Sequence, residues 1–294
     1  MFAAIVPVLT PVLLTALIGY LWARTNRPFD TETITQIALT IATPALVLDT
    51  LMAVDLPPQN LGTMVLASLM VHGGLMILGL GLNRSLGQPN AVFLPGFTFG
   101  NTGNMGLPLC LFAFGETGLG LAIAFFTTTT VINLVLTPVI SSGRPPLKAL
   151  YGSPLVWSVV IALSLRGLGV ELPLFVDNTV GLLAGLTIPM MLLALGVSLA
   201  RLKASTLRVP LLIGGLKPIL GFGLGFLVVL VLELDGMARG VVLIQAAMPI
   251  AVFNYLLAAQ FKQKPEEVAA TVVVSTLLTF VCLPLVLGIA MVPQ

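Results

Sequence analysis

Charge is what this sequence has least of. Of 294 residues only 13 are Lys or Arg and 11 are Asp or Glu, 8% in all, while 57% are hydrophobic and the mean hydropathy is +1.10. That is too little charge to cover a water-soluble globule, so a polytopic membrane protein is expected. A net charge of +2, spread in ones and twos along the chain, gives no basis for a nucleic-acid partner. Two cysteines, Cys110 and Cys282, sit in apolar segments without Cys-x-x-Cys or Cys/His spacing. They read as packing residues, with no metal site and no disulfide framework. One histidine, with no His-Glu-x-x-His and no paired aspartates, leaves an intramembrane enzyme without convergent catalytic groups. Nothing calls for a cofactor. The glycines Gly100, Gly103 and Gly106 lack dinucleotide-loop spacing and the Lys-Ser/Thr of a phosphate loop. No Lys or Arg precedes Arg24, which argues against a signal peptide and makes the first apolar stretch a span.

Long apolar runs are what the chain does have. At ~20 residues per crossing, ten spans are predicted, at about 2–22, 33–53, 60–82, 90–114, 117–140, 153–168, 175–200, 209–232, 238–260 and 267–291, with the sixth the shortest. Basic residues near span ends mark the cytoplasmic side. The odd-numbered loops carry Arg24, Arg27, Arg84, Arg144, Lys148, Arg201, Lys203, Arg208, Lys262 and Lys264, against Arg166 and Arg239 in even-numbered ones. Both termini are therefore expected outside.

Sliding the chain against itself pairs Pro44 with Pro189, His72 with Lys217, Pro138 with Pro284 and Pro108 with Pro249, at offsets of 145, 145, 146 and 141. A five-span repeat is odd in number, so its second copy enters the membrane the other way round. The expected fold is an all-α polytopic membrane protein with a 5+5 inverted-topology repeat, residues 1–140 (spans one to five) and 153–294 (spans six to ten).

The segment from Gly96 to Cys110 conflicts with its apolar surroundings. Four glycines, Asn101, Asn104 and Pro108 cannot form a continuous lipid-facing helix. Met248, Pro249 and Ile250 interrupt span nine in the same way. Broken spans in corresponding places of two halves point to the binding site of a secondary transporter, where free N–H and C=O groups face a ligand at membrane depth. Asn104 precedes Pro108, and Gln245 precedes Pro249, by one helical turn. An amide both donates and accepts, so it suits a carboxylate, a coordinated ion or backbone freed by the proline. Helix packing through the small residues is the alternative use of the glycines. Span five adds Thr127–Thr130 and Asn133, span ten Thr271, Ser275, Thr276 and Thr279; such hydroxyls commonly bond their own i−4 carbonyl. The candidate substrate-binding set is Asn101, Thr102, Asn104, Pro108, Asn133, Gln245, Pro249 and Asn254. His72 and Lys217, ionisable and well inside spans, are expected to support it. For Lys217 the substrate or the cytoplasmic field is the expected partner, with the carbonyl freed by Pro218 as a hydrogen-bond acceptor; snorkelling of its long stem to the cytoplasmic face is the alternative.

Residues 100–109, 245–252, 255–261, 264–271 and 188–196, with Leu283 and Pro284, resemble the auxin efflux carrier family, the two broken segments matching its crossover motifs. The resemblance implies broken, crossing spans four and nine, a scaffold of spans one, two, six and seven, and a moving transport unit of spans three to five and eight to ten. The chain lacks the long central loop of plant PIN-type exporters and is similar to compact bacterial members, associated with malate, malonate and similar carboxylates. The expectation is a non-enzymatic carrier of small organic anions in the cell (inner or plasma) membrane, working by elevator-like alternating access, with lipid around it and a homodimer through the scaffold helices as a further partner. A sodium-coupled symporter of the bile-acid type is the near rival, disfavoured by the lack of a carboxylate at span nine; a receptor that transports nothing is the distant one.

Overall fold

The structure, a computed structural model, describes residues 2–25, 27–54, 56–143, 151–201 and 208–292. Arg144, Lys148 and Lys203, used above for orientation, lie outside the described residues. The chain is all-helical. Helix α1 is Phe2–Arg24, α2 Thr31–Ala53, α3 Pro58–Ser85, α4 Asn90–Thr98, α5 Leu107–Ser142, α6 Pro154–Gly167, α7 Leu174–Arg201, α8 Arg208–Val231, α9 Gly236–Ala246, α10 Phe253–Gln260 and α11 Pro265–Ala290. Among the described residues, seven segments are long and apolar enough to cross a membrane, and α6 and α9 are shorter apolar helices. This is an all-α polytopic membrane protein.

Local chemistry sets the ends and bends. Asp30 caps α2, its carboxylate accepting the N–H groups of Glu32 at 3.1 Å and Thr33 at 3.2 Å. Further along, Pro44 has no N–H to give, and the turn ahead of it widens to a π-turn over Ala38–Ala42. In α5 the backbone leaves helical angles at Gly115 (φ 67°, ψ −162°), a conformation a side chain would strain. Gly115 falls between predicted spans four and five, so α5 comprises the end of the first and all of the second, joined at this kink. Spans four and nine are each divided into shorter helices, and predicted span six is a helix of 14 residues.

The helices pack in two sets. Helix α1 lies along α7 so closely that a Cβ on Gly19 would strike the Leu193 carbonyl and one on Gly196 the Ala16 carbonyl. Helix α2 packs on α6 and on the start of α7. In the other set α3 packs on α4 and α5, α8 on α9 and α11, and α9 on α5, all around the two breaks.

The two basic residues of even-numbered loops have a structural use. The Arg166 guanidinium, from the end of α6, donates to the carbonyls of Leu51, Val54 and Leu56, where α2 runs out of internal partners. Arg239, on α9, donates to Val292 O at 3.4 Å, just past α11. Both answer helix C-terminal carbonyls, which favour a cation by dipole and by hydrogen bonding. The opposite end of the molecule gathers Arg24, Arg27 and Arg201 around one surface recess, with Arg27 stacked over Trp22 at 4.9 Å.

Candidate functional site

Asn101 opens the first break, whose backbone cannot follow the helix because of the glycines around it. After α4 the chain is extended at Phe99, crosses Asn101, and re-enters through a π-turn over Thr102–Gly106 into α5. The second break runs from α9 through residues 247–252 into α10. The two meet backbone to backbone: Gly100 and Ile250 form an antiparallel bridge, and Asn101 N–H donates to Pro249 O at 2.6 Å. Here glycine is required by close approach, since a Cβ on Gly100 would lie 2.8 Å from Lys217 Nζ and 3.0 Å from Met248 O.

Buried backbone groups need partners, and side chains from neighbouring helices supply them. Asn254 Nδ2 donates to Phe99 O at 3.3 Å and Ala251 O at 3.2 Å; Ser275 Oγ accepts Ile250 N–H at 3.1 Å. Lys217 Nζ donates to Met248 O and, at 3.5 Å, to Ala246 O. The expected carbonyl ahead of Pro218 is thus not the one it uses. His72 Nδ1 donates to Ser68 O at 2.7 Å, which fixes its tautomer, and its ring stacks on Phe99 at 5.8 Å and tilts against Phe125 at 5.5 Å. His72 and Lys217 are therefore each seated on one break, His72 by a ring face and Lys217 by hydrogen bonds.

A cavity of about 640 Å³ lies between the two helix sets. One wall is the crossing itself, Gly100–Asn104 and Ala251–Phe253, continued by Thr129, Thr130 and Asn133 of α5. The facing wall comes from α2, α6 and α7 and includes Thr43, Leu155 and Ser198. The mouth lies at the helix ends that carry Asp30, Glu32 and Arg201. Asp30 is held ionised there: the Thr33 hydroxyl, then the Thr33 N–H, pull its carboxyl below the usual range. Arg201 bonds the Thr31 hydroxyl at 3.2 Å. Deeper in, the lining among the described residues is neutral, with amides and hydroxyls but no carboxylate. The first N–H groups of the π-turn, at Thr102, Gly103 and Asn104, have no preceding helical carbonyl to bond, and the start of α10 opens onto the same space.

The sequence candidates divide accordingly. Asn101, Thr102, Asn104 and Asn133 line the cavity. Asn101 Nδ2 has no hydrogen-bond partner, and Asn133 Oδ1 accepts from the Thr137 hydroxyl. Pro108 and Pro249 are buried within the breaks. Asn254 is 4% exposed, Nδ2 bonded and Oδ1 without a partner. Gln245 lies behind the turn, its amide against Gly106 and both its polar atoms unpaired. Thr128, Thr129, Thr130, Thr271, Thr276 and Thr279 bond their own i−4 carbonyls. Cys110 is buried and Cys282 is exposed on the outer surface of α11. Sequence reading missed the facing wall and the mouth: Thr43, Ser198, Asp30, Glu32 and Arg201. Asp30 alone carried a local signal, an N-cap acid ahead of an apolar helix.

Residues 146–287 match a family model described as membrane transport protein. The chain is 25% identical over 276 residues to a protein of Methanothermobacter thermautotrophicus described as an uncharacterized transporter, across 87% of this chain and 88% of the relative. It is 24% identical over 190 residues to another uncharacterized transporter, from Methanocaldococcus jannaschii, across 60% of this chain and 61% of that one. All three likenesses are to proteins described as transporters or transport proteins. With the many-helix apolar fold, they make the chain a distant relative of polytopic membrane transport proteins.

Proposed function

We propose that the protein is a secondary transporter of small organic anions, carboxylates in particular, that binds its substrate at the crossing of the two breaks and carries it by alternating access. The observation that carries this reading is the cavity: two half-helices begin at its wall, their positive dipole ends favour an anion, and the turn at Thr102–Asn104 adds N–H groups with no preceding helical carbonyl, whereas α10 already bonds its Asn254 and Tyr255 N–H groups to Ala251 O and Val252 O. Asn101, Thr102, Asn104 and Asn133 add neutral donors around it. Among the described residues the deep lining holds no carboxylate that would repel the substrate. Gln245, Pro108, Pro249 and Asn254 shape the turn from behind, and His72 and Lys217 hold the two breaks in place.

The same arrangement supports a mechanism. The ten crossings of the sequence reading are taken as a 5+5 inverted repeat, with α1, α2, α6 and α7 as the scaffold and the remaining helices as a transport unit. The cavity separates these two sets, so sliding one along the other would carry the crossing, and its anion, between the two faces. Its mouth shares Arg201 with the arginine-lined recess. By the distribution of positive charge that end is cytoplasmic, so this conformation is inward-open, with both termini outside. Sodium coupling is the weaker reading, since span nine offers the amide of Gln245 where a sodium site would use a carboxylate.

Uptake into proteoliposomes tests the proposal. Small mono- and dicarboxylates should accumulate and amines of the same carbon skeleton should not; uptake of amines in preference to acids would sink it.

A further inference from the structure

Lys217 is fully inside the protein, 1% exposed, and its ammonium has an unusual set of neighbours. Its acceptors are the carbonyls of Ala246 and Met248, at the C-terminal end of α9. Among the described residues no carboxylate lies within ion-pair distance of it. Two glycines make room for the charged group: a Cβ on Gly100 would lie 2.8 Å from Nζ and one on Gly221 3.6 Å from it. A half-helix C-terminus presents partial negative charge and unpaired carbonyl oxygens. In carriers built from broken helices, that is where an inorganic cation is coordinated. We propose that the Lys217 ammonium is a tethered cation occupying the cation seat of this crossing, so that the protein needs no sodium ion there.

This rests on the anion-carrier reading and sharpens it. Gly100 both lies against Lys217 and lines the cavity, so the ammonium faces the anion position through the thickness of a single backbone segment. Buried charge is screened little across such a layer. The positive charge that a co-transported metal ion would bring is then supplied by the protein, and it travels with the transport unit. An unpaired ammonium in a membrane interior is costly. Here the cost is met by the carbonyls of the break and, when the substrate is bound, by its negative charge.

The seat can be emptied and refilled. Lys217→Ala removes three methylenes and the ammonium, which propylammonium restores as a free ion. Thermal unfolding of purified protein is measured in sodium, propylammonium and choline chlorides at equal ionic strength. Wild type should unfold at the same temperature in all three. Lys217→Ala should unfold several degrees lower in choline, and sodium or propylammonium should recover most of the loss. Lys217→Met, which fills the space without charge, should not respond. A wild-type protein stabilised by sodium, or a Lys217→Ala protein that ignores both small cations, overturns the proposal; if the variant does not survive extraction, the wild-type arm decides alone. Unfolding is read without substrate, so failure to carry carboxylates would defeat the transport reading and leave this test standing.

Discussion

Asn101 carries two jobs on one residue, and they can be separated by mutation. Its N–H closes the contact with Pro249 and survives any side-chain change, whereas its side chain lies in the cavity wall with a buried Nδ2 that has no partner. Losing a hydrogen-bonding group to a charged ligand costs about 1.5–3 kcal/mol, so Asn101→Ala should raise the Kd for the carboxylate roughly 10- to 100-fold, at 1.4 kcal/mol per tenfold, with little change in thermal midpoint. Equal affinity in a titration with purified protein would remove Asn101 from the site. Gln245 behaves differently, because its amide is packed against Gly106 rather than open to the cavity. Gly106→Ala places a methyl group on that amide and should lower the thermal midpoint, and adding Gln245→Ala should restore part of the loss, a coupling of about 0.5–3 kcal/mol. Strictly additive effects would mean that the two residues do not share the space. Both breaks were legible in the sequence because glycine, asparagine and proline stand out in an apolar run. The partners of Lys217 were not: its acceptors lie 29 and 31 residues away, at the end of another helix and in the break that follows it, and no local pattern announces a carbonyl contact of that kind.

Elements join here through helix ends, and the ends are where sequence patterns mislead most. Arg166 and Arg239 were exceptions to the distribution of positive charge, since a count of charges cannot see that each answers the carbonyls of a different helix. Arg166→Gln should therefore destabilise the protein by about 1.5–3 kcal/mol through the uncapped end of α2, seen as a lower thermal midpoint; an unchanged midpoint would show that water serves those carbonyls as well. Gly115 is the other element-scale test. Any side chain there must adopt a strained backbone, so Gly115→Ala should cost about 1–3 kcal/mol, while Gly118→Ala would instead act through contact with Phe114. The bend at Gly115 was half legible: its position between two predicted spans was clear, but hydropathy does not show that the chain turns there on a single residue of positive φ.

At the scale of the whole molecule, the cavity owes its existence to the gap between two packed helix sets, and only one of its walls could be read from the sequence. The crossing wall is rich in polar residues inside apolar spans, a visible contrast. On the facing wall, Thr43, Leu155 and Ser198 are ordinary helix residues whose role depends on which helices become neighbours. Orientation is tested by single cysteines in a background of Cys110→Ala and Cys282→Ala: Gln59→Cys and Glu171→Cys should react with an impermeant thiol reagent added outside, and Arg27→Cys should not. The reverse pattern would turn the molecule over. In that same background Thr130→Cys tests the central claim most directly. Thr130 lines the cavity, and its hydroxyl bonds only Phe126 O in its own helix, so the substitution leaves the donors proposed for the anion intact. The reagent, given access to the cytoplasmic face, should abolish carboxylate uptake, and saturating carboxylate should slow the labelling. Complete labelling with uptake unchanged would contradict an anion path through this cavity.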